Sequence, residues 1–309
     1  MKKTTQRMPS LLSALLTSTL MMPVALPASA QSSGTFNNTN NNISNSMNNT
    51  NTTSKKMIDK FQQHNDNLLI SAVAWKQTAA EYKALYYQAF NMAKMQVDLA
   101  LAKHQAGDKP LAVISDLDDT LLNASNYWGY MIAHNHAFFD DPIWDEWVPK
   151  NLYTATPGAL DFVTYCQSKG VDVFYVSNRD QGEKTWQYAA GNLTHLGFPF
   201  VDKKHLIMQR DASNKEPAQQ KIMEDYDVVA LLGDNLNDFQ RKYYSQNVDE
   251  RARLMEQDKA LFGSKFILMP NPTDGHWIRA IFGESEPKDT PENRQRFIEA
   301  ATKSAWNGK

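Results

Sequence analysis

The sequence predicts an α/β fold, a doubly wound parallel sheet with a helical cap, on three observations. Short apolar runs alternate with helical stretches along most of the chain. Two of those runs end abruptly in aspartates. One interval between a strand and the next helix is too long and too aromatic for an ordinary connection.

The chain opens with a positive segment, Lys2, Lys3 and Arg7, then an apolar run from Leu11 to Leu26 broken by Pro23. That run ends in Ala28-Ser29-Ala30, a small-residue cleavage pattern. Residues 1–30 are therefore expected to be a signal peptide, leaving a periplasmic or secreted protein with no membrane attachment after cleavage. No cysteine lies near the cleavage point, so no lipid anchor is expected. Residues 31–56 are rich in Asn, Thr and Ser, and such a stretch has too little apolar surface to offset its ordering entropy. Disorder is expected there, and a folded domain over 57–309.

From Trp75 to His104, Ala79, Tyr82, Leu85, Tyr86, Ala89, Met92 and Ala93 recur at three- and four-residue steps, a helical period. Gly107 and Pro110 end it. Strands are expected at Leu111 to Asp116, Val171 to Ser177, Val228 to Gly233 and Lys265 to Met269, with a weaker one at His205 to Met208. Helices are expected from Gly158 to Lys169, Glu183 to Leu196 and Glu216 to Tyr226. The irregular interval, Asn126 to Thr156, reads as an insertion over the carboxyl end of the sheet, where open α/β folds bind ligands. Together, 57–108 and 124–157 are expected to build the cap.

At 42% hydrophobic residues the chain can bury a real core, and its formal charge of −2 gives no reason to expect a nucleic-acid partner. Cys166 is the only cysteine, so no internal disulfide can form. Within an apolar helical pattern it reads as a small buried hydrophobe.

The chemistry lies at the strand ends. Ile114-Ser115-Asp116-Leu117-Asp118-Asp119-Thr120 runs an apolar strand directly into three carboxylates and a threonine. Leu232-Gly233-Asp234-Asn235-Leu236-Asn237-Asp238 does the same with Asp234 and Asp238. Carboxylates crowded at adjacent strand ends repel one another and form an oxygen-rich site suited to a hard cation such as Mg²⁺. Ser177 and Asn178 place a hydroxyl and an amide where phosphoryl oxygens would sit, and Lys215 opens a helix with a charge that would offset them. Each element alone also fits a turn, a cap or a surface charge. Their order along successive strands is what points to a catalytic site. Trp75, Tyr127, Phe139, Trp144 and Trp147 either pack the cap or stack on an aromatic leaving group.

On these residues the chain resembles the haloacid dehalogenase-like phosphotransferases, and most closely their class C (DDDD) acid phosphatases. The likeness runs from about Ile70 through Trp75 with Glu81 to Leu85, Asp116 to Tyr127, Phe174 to Arg179, Lys215, Gly233 to Phe239 and Pro270-Asn271. Asp119 stands where that family usually has Glu. The resemblance implies a magnesium-dependent acid phosphatase acting on nucleoside monophosphates and aryl phosphates. Asp116 would be the nucleophile, and Asp118 the proton donor and then acceptor. Asp116, Asp234 and Asp238 would hold the metal with the Asp118 main-chain carbonyl, and Lys215 would assist. Ser177 and Asn178 would orient the phosphoryl group. It also implies a homodimer, whose interface the sequence does not reveal. A phosphotransferase on the same core is the alternative within enzymes. A non-catalytic binding or storage protein predicts loss of these aspartates, and a phosphoaccepting receiver domain predicts an acidic pair before the phosphorylated strand end rather than D-x-D; neither pattern is present.

Overall fold

A computed structural model describes residues 67–210, 213–306 and 308. The expected signal peptide, the Asn/Thr/Ser-rich stretch and residues 57–66 of the expected cap lie outside those residues.

Two helices open the described chain, α1 (Ile70–Thr78) and α2 (Ala80–Lys103). The sequence pattern reads as one helix across this region, but Ala79 takes an extended conformation and separates them. Then come β1 (Leu111–Ser115), the short strand β2 (Leu122–Asn123), α3 (Ser125–Ala133), α4 (Asp141–Trp147), β3 (Thr154–Ala155) and α5 (Ala159–Ser168). The second half contains β4 (Asp172–Ser177), α6 (Thr185–His195), β5 (Leu206–Met208), α7 (Glu216–Asp225) and β6 (Asp227–Gly233). It closes with α8 (Val248–Gln257), β7 (Phe266–Leu268), α9 (His276–Phe282) and α10 (Pro291–Thr302).

The main sheet has the order β5-β4-β1-β6-β7, and every pairing in it is parallel. The chain leaves β1 toward β4 and β5, then crosses back to β6 and β7. The switch therefore falls beside β1, and the carboxyl ends of β1, β4 and β6 meet there. β2 and β3 form a separate antiparallel ribbon at the root of the insertion.

Side-chain alternation sorts the strands onto two faces. Val113, Val173, Tyr175, Leu232 and Ile267 enter one core with residues of α2, α5 and α6. Ala112, Ile114, Phe174, Val176 and Leu231 enter the other with Ala218 and Ile222 of α7. Cys166 is fully buried in the first, and burial pushes its thiol up to about 12, which leaves it an inert small hydrophobe. A register shift between Ala112 and Val113 sets two residues of β6 against one of β1.

The cap expectation is corrected for one helix. α2 is a layer of the core: Tyr82, Tyr86, Phe90, Ala93 and Val97 form its buried stripe, it packs on β6 and β7, and Phe90 meets Phe162 of α5 at 5.5 Å. The cap consists of α1, which packs against α3, with α3 and α4. An amphipathic period shows that a helix buries one face but not which surface it covers.

Candidate active site

Asp116 is the first residue beyond β1, and its main-chain N–H reaches across to Leu232 O of β6 at 2.9 Å. That bond sets the nucleophile candidate beside the end of β6, where Asp234 and Asp238 arrive. Gly233 makes the approach possible. A Cβ there would lie 2.4 Å from the Asp238 Cβ, so only glycine lets Asp238 fold back under the strand end. Asp238 is held by a short 3₁₀ turn in which its Oδ2 accepts from Asn235 N at 2.9 Å.

Carboxylate oxygens of Asp116, Asp234 and Asp238 come within 4.8 Å of one another. Lys215 Nζ donates to Asp116 Oδ1, and to Asp238 Oδ1 at 2.7 Å. Thr120 Oγ1 lies between Asp116 Oδ2 at 3.3 Å and Asp234 Oδ1 at 3.4 Å. Asn271 Nδ2 donates to Asp234 Oδ2 at 2.7 Å.

One ammonium thus serves two of the three clustered carboxylates, Asp116 and Asp238, and the protonation energetics follow. Burial, which Lys215 only partly offsets, and the neighbouring Asp238 and Asp118 push Asp116 up to about 7. Asp234 is raised too, by burial, Asp238 and Asp116. Burial works against the charge on Lys215, but Asp116 and Asp238 together outweigh it and hold the ammonium firmly protonated. The donor set is all oxygen and short of positive charge, which fits a hard divalent cation.

Asp118 stands apart from that cluster. Arg179 grips its carboxylate with Nε on Oδ2 and Nη2 on Oδ1, both at 2.6 Å, and Tyr153 OH donates to Oδ1 at 2.7 Å. Its side chain is turned to Arg179 and Tyr153, and its main-chain oxygen would serve a metal, as the resemblance implies. Arg179 and Tyr153 were not singled out as site residues from sequence. Arg179 had a signal, since it directly follows Ser177-Asn178, whereas Tyr153 had none.

Asp119 also proves structural. Buried Lys76 of α1 donates to its Oδ2 at 2.7 Å and to Thr273 Oγ1 at 2.9 Å, and Ala124 N donates to its Oδ1 at 3.2 Å. Its φ of +50° places it in the left-handed region, a conformation that asparagine and aspartate tolerate better than most residues. Asp119 thereby ties the cap to the loop that carries the catalytic candidates.

These groups line a cleft of about 470 Å³, large enough for a nucleotide-sized ligand. Ser177 and Asn178 are on its wall, and Asn178 Oδ1 is buried without a hydrogen-bond partner among the described residues. Of the rings expected there, Trp144 and Phe139 do line the cleft. Tyr127 does not: it is fully buried in the cap, edge-on to Trp144 at 4.9 Å, with its hydroxyl engaged by the Asp140 main chain. Trp75 is likewise committed, edge-on to Tyr82 at 5.4 Å. Trp128 of α3 lines the cleft instead. Asp141, Asp145, Asp274, His276 and Glu286 also lie on the wall.

A family model described as HAD superfamily, subfamily IIIB (acid phosphatase), matches residues 30–277. The chain belongs to this family of acid phosphatases. Among solved structures, the class C acid phosphatase of Bacillus anthracis is similar to it in two forms, one of them with tungstate bound. Each is 34% identical with a TM-score of 0.70, over 75% of this chain and 96% of the Bacillus chain. The phosphatase thus combines the family's five-stranded parallel core with an acidic cluster at the switch of its sheet.

Proposed function

We propose that the phosphatase hydrolyses phosphomonoesters, including nucleoside monophosphates and aryl phosphates, through an aspartyl-phosphate intermediate, an acyl phosphate on Asp116, and with Mg²⁺ bound. The observation that carries this reading is the Asp116 carboxylate held by Lys215 beside Asp234 and Asp238. Asp116, Asp234 and Asp238, with the Asp118 main-chain carbonyl, would hold the ion. When bound, it supplies positive charge that keeps the carboxylates ionised and offsets the charge of the phosphoryl group. The Bacillus relative binds tungstate, a tetrahedral oxyanion like phosphate, which supports oxyanion binding by this phosphatase.

In the first step an oxygen of Asp116 bonds to phosphorus while the bond to the leaving oxygen breaks. Asp118 delivers a proton to that oxygen, so the alcohol departs neutral. Lys215 balances charge on the transferring group, and the Ser177 hydroxyl with the Asn178 amide N–H groups orients its oxygens by donating to them. In the second step Asp118 takes a proton from water, water oxygen bonds to phosphorus, and the bond to Asp116 breaks. Inorganic phosphate and the original carboxylate result.

A panel of phosphomonoesters assayed with and without Mg²⁺ tests this reading. Phosphate release that needs the ion, with phosphate trapped on Asp116 by rapid quench and located by mass mapping, is the expected result. Full activity after exhaustive chelation would remove the metal from the reading. We also propose cleavage after Ala30 and a periplasmic or secreted mature chain starting at Gln31, on the strength of the n-region, apolar run and small-residue site. Intact mass of the native protein checks this, and retention of residues 1–30 or a lipid adduct would overturn it.

A further inference from the structure

The carboxylate of Asp118 is held from two directions. From the core, Arg179 follows directly on β4 and Asn178, with only 5% of its surface exposed. Its fork closes on both oxygens of Asp118, and its remaining terminal nitrogen, Nη1, donates to Asn192 Oδ1 of α6 at 2.8 Å. Asn192 is itself fixed, donating to Val148 O at 3.0 Å and to Asn151 Oδ1 at 2.8 Å. From the cap side, Tyr153 donates to Asp118 Oδ1. Its ring lies 4.3 Å from Trp147 and 6.0 Å from Trp144, both on α4, with the Arg179 guanidinium 4.9 Å from the ring centre.

We propose that Arg179 and Tyr153 are positioning residues that fix the plane of the Asp118 carboxylate for both proton transfers. The proposal rests on the phosphatase mechanism above. A bidentate guanidinium grip removes rotation about the bond to the carboxylate carbon, which a single hydrogen bond or a point charge leaves free. The same carboxyl group must face the leaving oxygen in one step and the attacking water in the next, so one locked orientation serves both. The grip also keeps this side chain out of the oxygen cluster of Asp116, Asp234 and Asp238, only two residues away in the chain. Because Tyr153 rests on α4, the placement of the cap is coupled to the proton-transfer group.

The test compares a poor leaving group with one that departs without a proton. Arg179→Lys keeps the charge and loses the fork, while Tyr153→Phe keeps the ring and loses one hydrogen bond. For an alkyl ester such as glycerol phosphate, kcat/KM should fall about 10- to 100-fold in Arg179→Lys and about 3- to 10-fold in Tyr153→Phe. For p-nitrophenyl phosphate, kcat/KM should stay within about threefold of wild type, with kcat and KM falling together, while KM for glycerol phosphate should hold within about twofold. Slower breakdown of the phospho-enzyme should appear as a burst of p-nitrophenolate followed by slow turnover. If Arg179→Lys does not fold, Tyr153→Phe decides alone, since the buried ring remains. Equal losses on the two esters in whichever variant folds, or a loss carried by KM, would overturn the proposal. Wild-type protein that releases phosphate from neither ester would overturn the phosphatase mechanism and this inference with it.

Discussion

Buried or half-buried carboxylates mark both ends of the parallel sheet, but the balance of partners is opposite. At the amino end, Asp172 opens β4 and accepts from Tyr226 OH at 2.8 Å and Lys204 Nζ at 3.0 Å, with His205 Nε2 at 3.3 Å. Against the effect of partial burial, those bonds hold its carboxyl below the ordinary aspartate range. At the carboxyl end the Lys215 ammonium pairs with Asp116 and Asp238 while Asp234 stands beside them, and burial with mutual repulsion raises Asp116 and Asp234. Charge is already compensated at the amino end, which makes that cluster structural. The carboxyl end carries a surplus of negative charge that a ligand must complete, and binding free energy is spent there on chemistry rather than on fold.

The largest effect separating the two ends is on turnover. Asp116→Asn should lower phosphate release by at least about 10⁴-fold on every ester, because no other carboxylate is placed to attack. Asp172→Asn should leave kcat/KM within about twofold. A phosphatase that tolerates Asp116→Asn would erase the distinction between the ends.

Metal and stability sharpen it next. Exhaustive EDTA treatment should abolish activity and added Mg²⁺ restore it, while Asp234→Asn should weaken Mg²⁺ binding at least about 10-fold by calorimetry. The same substitution removes a repelling buried carboxylate, so without metal the variant should melt a few degrees higher, on the order of 1 kcal/mol. Asp172→Asn should melt lower, by about 1 kcal/mol or less given its partial exposure. Melting shifts of the same sign at both ends would break the comparison.

Acid titration gives a third contrast. His276 lines the cleft, where burial and then Arg251, Lys215, Arg279 and Arg241 push its pKa down to about 3. It stays neutral in the fold, while the unfolded chain binds its proton below about pH 6.5. Its contribution is therefore intact above pH 6.5 and drains as pH falls from there toward 3. Asp172 works the other way: its lowered value gives stability that is present above about pH 3.9 and lost below, as pH passes its folded value. Melting temperature against pH should thus flatten between about pH 6.5 and 4 in His276→Gln, and only below about pH 4 in Asp172→Asn. Identical pH curves for the two variants would show that neither residue sets its window.

The smallest expected effect concerns the cap. Trp144→Leu should reduce kcat/KM for aryl and nucleoside phosphates about 3- to 10-fold and leave glycerol phosphate nearly unchanged. Tyr127→Phe, lying beneath the wall, should shift stability by about 1 kcal/mol and leave the substrate ratio unaltered. A change in that ratio from Tyr127 rather than Trp144 would reverse the assignment of the wall.

Much of this was legible in the chain itself. Leu111 to Asp116, Val171 to Ser177 and Val228 to Gly233 read as strands because a strand buried on both faces must be apolar along its length, whatever its neighbours. Asp116, Asp234 and Lys215 stood out because polar groups that directly follow such strands, or open the next helix, fall at the sheet's carboxyl end. Those signals are local. The cap was less legible, since Trp75, Tyr127, Trp128 and Trp144 are chemically alike and only packing decides which ring faces the cleft.

By itself, then, the sequence determined the parallel core, the acidic strand ends and the order of the chemistry along them, because each depends on residues adjacent in the chain. Only the tertiary structure decided that α2 covers the sheet while α1 joins the cap, and that Asp119 anchors Lys76 from 43 residues away. It alone brought Arg179 and Tyr153 onto Asp118 across 61 and 35 residues. Orientation of a catalytic carboxylate depends on partners delivered by separate elements, and their meeting is set by how the layers pack.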